Sequence, residues 1–446
     1  MSESGGALTG TDIELLNKEF NSDPAHRRSQ NAVTQVSVDD VALDRAVLTG
    51  IEPSMSHLLD DWKVTNQKQS GRCWAFAGLN LLRVGAMKTL NVKDFEFSQN
   101  YTMFWDKLER ANYFLEAIID TADRDADDRT VAYLLDSVLG DGGQWNMFVA
   151  LINKHGLVPK SAMPETESSS NSNKMNASLR TVLRQGAATL RAARGANVEA
   201  LRSQKRDILT VVHRVLSIHL GTPPERFVWQ WTDKDREFHR DGVLTPLEFA
   251  AKYVTIPIND YVCLVDDPRA SSPKSRTFTV DFLGNVVGGA PVVYLNVEMA
   301  QIKEAARQTI TGGEPVWFGC DVGKMMRRDL GVWDARLFDF AGVYGISDFG
   351  LSKADRLVLH ESQMTHAMLF TGVDVLDGQS RRWRVENSWG EENGIDGFYT
   401  MNDSWFDEYV FEIACRRDLL PESLQQALSA EPIVLPAWDP MGALAL

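Results

Sequence analysis

Cysteine, positive charge and long apolar runs are all scarce in this sequence. Its 446 residues include four cysteines, Cys73, Cys263, Cys320 and Cys415, and none of them forms a CxxC pair. Widely spaced cysteines are typical of a reducing compartment, in which thiols stay free. No apolar run approaches the roughly 20 residues needed to cross a bilayer. The opening Met1–Gly6 is polar, so we expect no secretory signal. These absences predict a cytoplasmic protein without a membrane span.

The excess of acidic residues argues against one large class of partners. The formal net charge is −15 at pH 7, whereas nucleic-acid binding depends on cationic side chains that neutralise phosphates. Residues 174–220 differ, because they contain nine Lys or Arg and only two acidic residues. Their apolar positions, interrupted at Gly195–Asn197, predict two amphipathic helices. We favour a contact between these helices and an acidic surface such as Asp120–Asp128 over a nucleic-acid patch.

Motifs for nucleotides and metals are also missing. There is no Gly-x4-Gly-Lys-Ser/Thr loop, no dinucleotide-binding fingerprint and no Cys/His cluster with metal spacing. His360-Glu361 begins like a zinc-peptidase motif, but the next histidine, His366, lies six residues on and on a different helical face. The acidic run Asp120–Asp128 lacks the Gly and Glu of a calcium loop. We therefore predict no metal and no cofactor.

One cysteine lies in a segment that favours reactivity. Residues 67–77 read QKQSGRCWAFA, with Cys73 at the start of a predicted apolar helix, six residues after Gln67. The N-terminus of a helix favours negative charge and therefore lowers the pKa of a thiol. The side chain of Gln67 can reach the same place and donate to an oxyanion. The alternative is a structural cysteine, the commoner role for a single cysteine.

Two later segments supply a base and a residue that orients it. His366 begins an apolar, β-prone run, and Asn387 follows an alternating strand that ends in Asn-Ser-Trp-Gly. With the turn Asp377–Ser380 between them, the strands form a predicted hairpin that brings Asn387 to one imidazole nitrogen. The other nitrogen then faces the thiol, and Trp389 shields the His–Asn hydrogen bond. Each residue alone also has a structural interpretation, but their order along the chain favours catalysis.

The combined pattern resembles the papain-like cysteine peptidases, specifically the bleomycin hydrolase and bacterial aminopeptidase C branch. Ser70-Gly71-Arg72-Cys73-Trp74 is this branch's form of the motif, with Ser70 where secreted enzymes have a second cysteine. The tail Leu435–Leu444 reads LPAWDPMGAL and is specific to the branch. The resemblance covers nearly the whole chain.

The resemblance implies a fold and an assembly. The expected fold is α+β: a papain-like core with a helical half and a β-barrel-like half, a helical insertion, and a C-terminal tail that returns to the active site. The expected assembly is a homohexamer whose active sites face an inner channel. The predicted segments are a lead-in (1–60), the helical half (61–174), an insertion for oligomerisation (175–260), the β-rich half (261–415) and the tail segment (416–446).

The residues and the resemblance together predict a cysteine aminopeptidase that releases N-terminal amino acids from peptides through a thioester. Bleomycin-like amides are expected to be substrates too. Cys73 would be the nucleophile and His366 its base. Asn387 would orient His366, and Gln67 would donate to the oxyanion. The alternative function is a regulatory protein on the same scaffold that binds nucleic acid or another partner.

The C-terminal tail predicts the exopeptidase mode. Prolines keep the tail out of helix, so its last residues, about 15 of them, can reach the protein's own cleft. The resemblance implies that the terminal carboxylate, here that of Leu446, attracts the substrate's ammonium group and blocks longer substrates. The alternative is a tail that packs on a neighbouring subunit.

Overall fold

The computed structural model describes residues 6–59 and 62–443 of the chain. Helices dominate its first half and strands its second, which confirms the predicted α+β class. The helices in the described residues are α1 (Gly10–Ser22), α2 (Pro24–Val33), α3 (Val38–Ala42), α4 (Arg45–Thr49), α5 (Cys73–Leu90), α6 (Gln99–Asp120), α7 (Arg129–Asp136), α8 (Trp145–His155), α9 (Glu167–Ser170), α10 (Asn173–Ala192), α11 (Val198–Leu220), α12 (Pro246–Tyr253), α13 (Met299–Thr311), α14 (Phe340–Tyr344), α15 (Lys353–Val358), α16 (Asp403–Tyr409) and α17 (Glu422–Ala427), with 3-10 turns at Ile258–Asp260, Arg417–Leu419 and Pro440–Gly442.

Most strands belong to one mixed sheet. The strands are β1 (His57–Leu58), β2 (Phe227–Thr232), β3 (Phe238–Leu244), β4 (Tyr261–Val265), β5 (Arg276–Val280), β6 (Tyr294–Asn296), β7 (Val316–Cys320), β8 (Met326–Arg327), β9 (Val332–Trp333), β10 (His366–Leu376), β11 (Gln379–Glu386), β12 (Phe398–Asn402), β13 (Val410–Arg416) and β14 (Ile433–Leu435). The sheet has the order β14-β5-β6-β4-β13-β7-β10-β11-β12-β9-β8, and β1 also pairs with β10. β2 and β3 form a separate hairpin.

Helix α5 is the buried centre of the helical half. Its residues are apolar on nearly every face, and an all-apolar helix is stable only inside a protein. One side packs on α8 and another on β7 and β10. At its start, the indole N–H of Trp317 in β7 donates to the carbonyl of Trp74 at 3.1 Å. The helix ends at Asn91, which adopts the left-handed conformation with φ 56°. The start of α5 is thus attached directly to the sheet.

The hairpin of β10 and β11 has the predicted turn. Asp377 and Gly378 both have positive φ, 51° and 78°, as a two-residue turn of the I′ type requires. The pairing runs from Leu376 opposite Gln379 to Leu369 opposite Glu386. His366 at the start of β10 and the residues just after β11 therefore lie at the same end of the hairpin.

The basic helices α10 and α11 are separated where the sequence predicts it, between Ala192 and Val198. Their cations contact the same subunit. Arg191 donates to two backbone carbonyls in the Asp120–Asp128 segment, and both Arg202 and Lys205 bind the carboxylate of Glu116 on α6. The contact with segment 120–128 is thus made through backbone carbonyls, and the carboxylate that binds these basic helices is Glu116, outside that segment.

Helix α9 forms within a polar segment, where Thr166 caps it in a reciprocal box with Ser169. One local prediction needs correction. The tail is not free of helix, since Pro440 begins a 3-10 turn, a first position that suits proline. The five-segment division of the chain stays a prediction. No helix in the described ranges is both long and apolar enough to span a membrane.

Candidate active site

Cys73 is the first residue of α5 and is 1% exposed. Burial raises the pKa of its thiol to about 12, while hydrogen bonds from the backbone N–H groups of Ala367, Trp74 and Cys73 itself oppose that shift. Ala367 directly follows His366 in β10. The sulfur therefore lies between the start of the helix and the start of the strand that contains the predicted base.

His366 and Asn387 are in contact, as the sequence predicts. The imidazole Nε2 lies 2.9 Å from the side-chain oxygen of Asn387. The backbone N–H of Ser388 donates to the same oxygen at 2.8 Å, which fixes the orientation of the amide. Because an amide oxygen only accepts hydrogen bonds, Nε2 carries the proton. Nδ1 keeps its lone pair and is the nitrogen available to take a proton from a thiol.

Trp389 lies against the imidazole. The two ring centroids are 4.9 Å apart with an angle of 34° between the planes. His366 is 4% exposed and Asn387 is 1% exposed, so the hydrogen bond between them is screened from water. Burial lowers the pKa of His366 to about 4, against the raising effect of the Asn387 bond; the positive charge of Arg328 lowers it further. Burial alone thus favours a neutral imidazole and a neutral thiol.

Gln67 is tied to the same cluster. Its side-chain oxygen accepts the hydroxyl of Ser388 at 2.6 Å, and its Nε2 donates to the carbonyl of Ser70 at 2.6 Å. A primary amide has two N–H donors, so one remains available for an oxyanion. The backbone N–H of Gln67 also donates to the carbonyl of Ser388 at 2.9 Å. Ser388, which the sequence analysis gave no role, therefore connects Gln67 with Asn387.

The turn before Cys73 is held by buried charges that the sequence analysis did not identify. The guanidinium of Arg72 binds Glu165 with two hydrogen bonds of 3.0 and 2.8 Å, and its Nε donates to the hydroxyl of Ser70 at 2.9 Å. The backbone N–H of Gly71 donates to Asp141 at 3.1 Å. Planar two-point pairing fixes geometry as well as charge, so the entry into α5 has one conformation.

Asp141 is the hub of a second buried cluster next to this turn. Its carboxylate binds the ammonium of Lys107, the hydroxyl of Ser172 and the amide of Asn176. Burial opposes the charge, but Lys107 and these hydrogen bonds hold the pKa of Asp141 well below its usual value. The carbonyl of Asp141 accepts the indole N–H of Trp74 at 2.7 Å. The residue after Cys73 is thereby fixed as well.

A third buried charge connects α5 with β11. Glu386, the residue before Asn387, accepts hydrogen bonds from Trp62, Asn80 and Arg83 at 2.7, 2.8 and 2.8 Å. Burial raises the pKa of Glu386, and the charge of Arg83 opposes that shift. A signal was present in the sequence, because Arg83 interrupts the apolar helix and a charge there needs a buried partner.

The tail docks on its own subunit. Strand β14 pairs with β5, and Asp439 binds Arg269 at 2.8 and 3.1 Å. Met441 is part of the buried cluster that contains Cys73. The side chain of Gln144 donates to the carbonyl of Ala443 at 2.8 Å. The preceding residue, Gly143, packs so closely on Trp74 that an added Cβ would lie 2.5 Å from the indole ring. The described tail therefore ends against Gln144, whose neighbour Gly143 lies at the ring of Trp74, the residue after Cys73. Leu446 lies outside the described residues.

Known proteins match this chain over its full length. Residues 7–442 match the model of the Peptidase C1-like family. This chain belongs to that family. Aminopeptidase C of Listeria innocua is 43% identical over 439 residues, which cover 98% of this chain and 99% of the relative. Bleomycin hydrolase of Homo sapiens is 42% identical over 456 residues and 100% of both chains. The crystal structure of PepW from Lactobacillus rhamnosis HN001 is 42% identical, with a TM-score of 0.96 over 98% of this chain and 99% of that one.

Membership of the Peptidase C1-like family confirms the resemblance drawn from the motifs. It also agrees with the chemistry of the site, which combines a thiol at a helix start, an imidazole with a fixed tautomer and amide donors nearby. Such an arrangement can perform acyl transfer, because a thiol, an imidazole, a side-chain amide that contacts the imidazole and further N–H donors lie in one cluster.

We predict that the reactivity of Cys73 depends on His366. When Sγ transfers its proton to Nδ1, a thiolate and an imidazolium form side by side. The positive imidazolium stabilises the thiolate and so lowers the pKa of the thiol. In the His366→Ala variant the thiol keeps the pKa that burial raises to about 12. Its alkylation by iodoacetamide at pH 7 should then fall at least about 100-fold and increase only above about pH 9.

Mass spectrometry of the alkylated peptide would report Cys73 separately from the other cysteines. His360→Ala removes an exposed histidine outside the site and is the matched control. Equal rates for the His366→Ala variant and the wild type across pH 5–10 would contradict an ion pair of these two residues.

Proposed function

We propose that this chain is a cysteine aminopeptidase that releases N-terminal amino acids from peptides through a thioester acyl-enzyme. The observation that carries the proposal is the buried 2.9 Å bond between His366 Nε2 and Asn387, which leaves Nδ1 for the thiol. The thiol of Cys73 lies at the backbone N–H of Ala367, next to that histidine. Similar proteins named aminopeptidase C and bleomycin hydrolase support the same activity.

The proposed reaction has two halves. Cys73 Sγ gives its proton to His366 Nδ1 and attacks the carbonyl carbon of the first peptide bond. The tetrahedral intermediate collapses as Nδ1 protonates the leaving amine, and the C–N bond breaks to leave a thioester. His366 then takes a proton from water, which attacks the thioester and releases the amino acid and the thiol. Asn387 keeps Nε2 protonated and the ring aligned throughout.

The oxyanion is stabilised by two donors in the proposed mechanism. One is the free N–H of the Gln67 side chain, whose other groups are held by Ser70 and Ser388. The other is the backbone N–H of Cys73 at the start of α5, where the helix dipole adds positive potential. Donors that are already oriented need no reorganisation when the charge forms.

Substrates of the proposed enzyme are peptides with a free amino terminus, and amides of the bleomycin type. The tail supports the exopeptidase mode, because its last described residue is held by Gln144, and the adjacent Gly143 lies at the ring of Trp74. The three residues after Ala443 can extend about 10 Å further. We propose that the carboxylate of Leu446 binds the substrate's ammonium group, so that only one residue fits before the scissile bond.

We expect Cys73→Ala to lower kcat for alanine p-nitroanilide at least about 10⁴-fold, because no nucleophile remains. Asn387→Ala should lower it about 10- to 100-fold, since the imidazole loses its orienting partner. Release of p-nitroaniline at pH 7.5 measures both. Cys415→Ser, which changes a buried cysteine outside the apolar cluster that contains Cys73, is the control. Hydrolysis by Cys73→Ala at the wild-type rate would refute the mechanism.

We predict that removal of Leu446 relaxes the requirement for a free amine. The shortened chain ends one residue earlier, so its carboxylate no longer meets the ammonium group. The ratio of kcat/KM for alanine p-nitroanilide to that for its N-acetyl form should fall about tenfold or more. Leu446→Ala is the matched control, because it changes the side chain and keeps the terminal carboxylate in place. An unchanged ratio after the deletion would return the tail to a packing role.

We propose that the protein assembles as a homohexamer. Helix α1 has no buried residue, and Ile13, Leu15 and Leu16 are 44%, 59% and 53% exposed. An isolated helix of 13 residues has only marginal stability in water, so contact with the surface of another subunit would stabilise α1. Light scattering after size exclusion should give about six times the chain mass of 49.9 kDa. Leu15→Asp with Leu16→Asp should yield smaller species, and a monomeric wild type would exclude the assembly.

We further propose a cytoplasmic location. All four cysteines are buried and free of disulfides, which agrees with a reducing compartment. Cell fractionation tests this point: recovery of the protein only outside the cytoplasm would contradict it.

A further inference from the structure

Arg328 is an exposed cation placed on the face of Trp389. Its Cζ lies 4.3 Å from the centre of the indole, within the range of a cation–π contact. The neighbouring Arg327 is paired with Asp40 and Asp329 at 2.7 and 2.8 Å. Across residues 6–59 and 62–443, no carboxylate lies within ion-pair distance of Arg328. Although the chain has a net charge of −15, the N–H groups of this guanidinium can therefore donate hydrogen bonds to a ligand.

Arg328 lies on the side of the site where the leaving group of the substrate is expected. His366 must protonate the departing nitrogen, which requires contact at hydrogen-bond distance. In the proposed reaction the residue after the scissile bond therefore lies next to His366, and the indole of Trp389 contacts that imidazole. Ring centroids 4.9 Å apart and a further 4.3 Å to the guanidinium put Arg328 at most about 9 Å from the imidazole. One residue with its side chain spans most of that distance.

The guanidinium is also oriented in advance. The contact with the indole restrains the guanidinium, whose N–H groups suit two-point binding of a carboxylate. The chain at Arg328 is itself restrained, because its carbonyl accepts the backbone N–H of Gly331 in the turn between β8 and β9. Its charge already acts on the site, since it lowers the pKa of His366.

We propose that Arg328 binds a carboxylate of the residue that follows the scissile bond and so favours substrates that are acidic on the leaving side. Two carboxylates can reach it: the main-chain carboxylate of a dipeptide, and the side chain of Asp or Glu at that position. The inference rests on the proposed aminopeptidase function and adds a substrate preference to it.

Two substrate pairs distinguish the two sources. Ala-Ala against Ala-Ala-NH2 changes only the main-chain carboxylate, and Ala-Asp-NH2 against Ala-Asn-NH2 changes only the side chain. For each pair the ratio of kcat/KM is measured at 20 mM and 500 mM salt. We expect the wild type to favour at least one acidic member about three- to tenfold, as for a partly exposed ion pair, and high salt to reduce the ratio.

R328Q should bring that ratio close to one. R328K should retain part of the preference, because lysine keeps the positive charge but lacks the two-point hydrogen-bonding geometry of arginine. R327Q is the matched control, since it removes an adjacent arginine that is already paired. A change in the first pair alone assigns the main-chain carboxylate, and a change in the second alone assigns the side chain.

Three results would overturn the inference. The wild type could show no preference in either pair, R328Q could keep the full preference, or R327Q could lose as much as R328Q. These failures differ from a failure of the proposed function, in which the wild type releases alanine from none of the four substrates, and which overturns both.

Discussion

The buried carboxylate of Glu386 joins the two halves of the site. It accepts hydrogen bonds from Asn80 and Arg83 on α5, the helix that begins at Cys73, and from Trp62 on the segment that leads to Gln67. Removing one member of a buried ion pair leaves an uncompensated charge and typically costs about 3–5 kcal/mol. Because Asn387 is the next residue, the same pair fixes the distance between α5 and the end of β11. The approach of Cys73, at the start of α5, to His366 and Asn387 on the hairpin depends on that distance.

Other buried charges have a comparable effect on the turn that leads into α5. Arg72 is held by Glu165, and Asp141 is held by Lys107 while its own carbonyl anchors Trp74. These contacts hold the backbone around Cys73 to other residues of the helical half, whereas Glu386 holds α5 to the sheet. The site is also asymmetric. The tail approaches one side through Gln144, and Trp389 with Arg328 borders the imidazole.

Local sequence patterns were sufficient to predict several of these helices and turns. The apolar run after Cys73, the turn at Asp377-Gly378 and the break between α10 and α11 all depend on neighbouring residues, and each was predictable. Short capped helices such as α9 were not, because their sequences are equally polar in loops. The roles of Glu386, Arg83 and Asp141 were also missed. Their partners are far away in the chain, 303 residues in the case of Arg83 and Glu386, and only folding makes such pairs.

The family, the α+β class and the candidate residues Cys73, His366, Asn387 and Gln67 could all be predicted from the amino-acid sequence, because the chemistry restricts which residue types can occupy those motifs. The tautomer of His366 follows only from the folded chain, because the Ser388 N–H orients the Asn387 amide. The same is true of the pairing of the tail with β5 and of the contact between Arg328 and Trp389. These features depend on distances between segments remote in the chain, which packing alone sets.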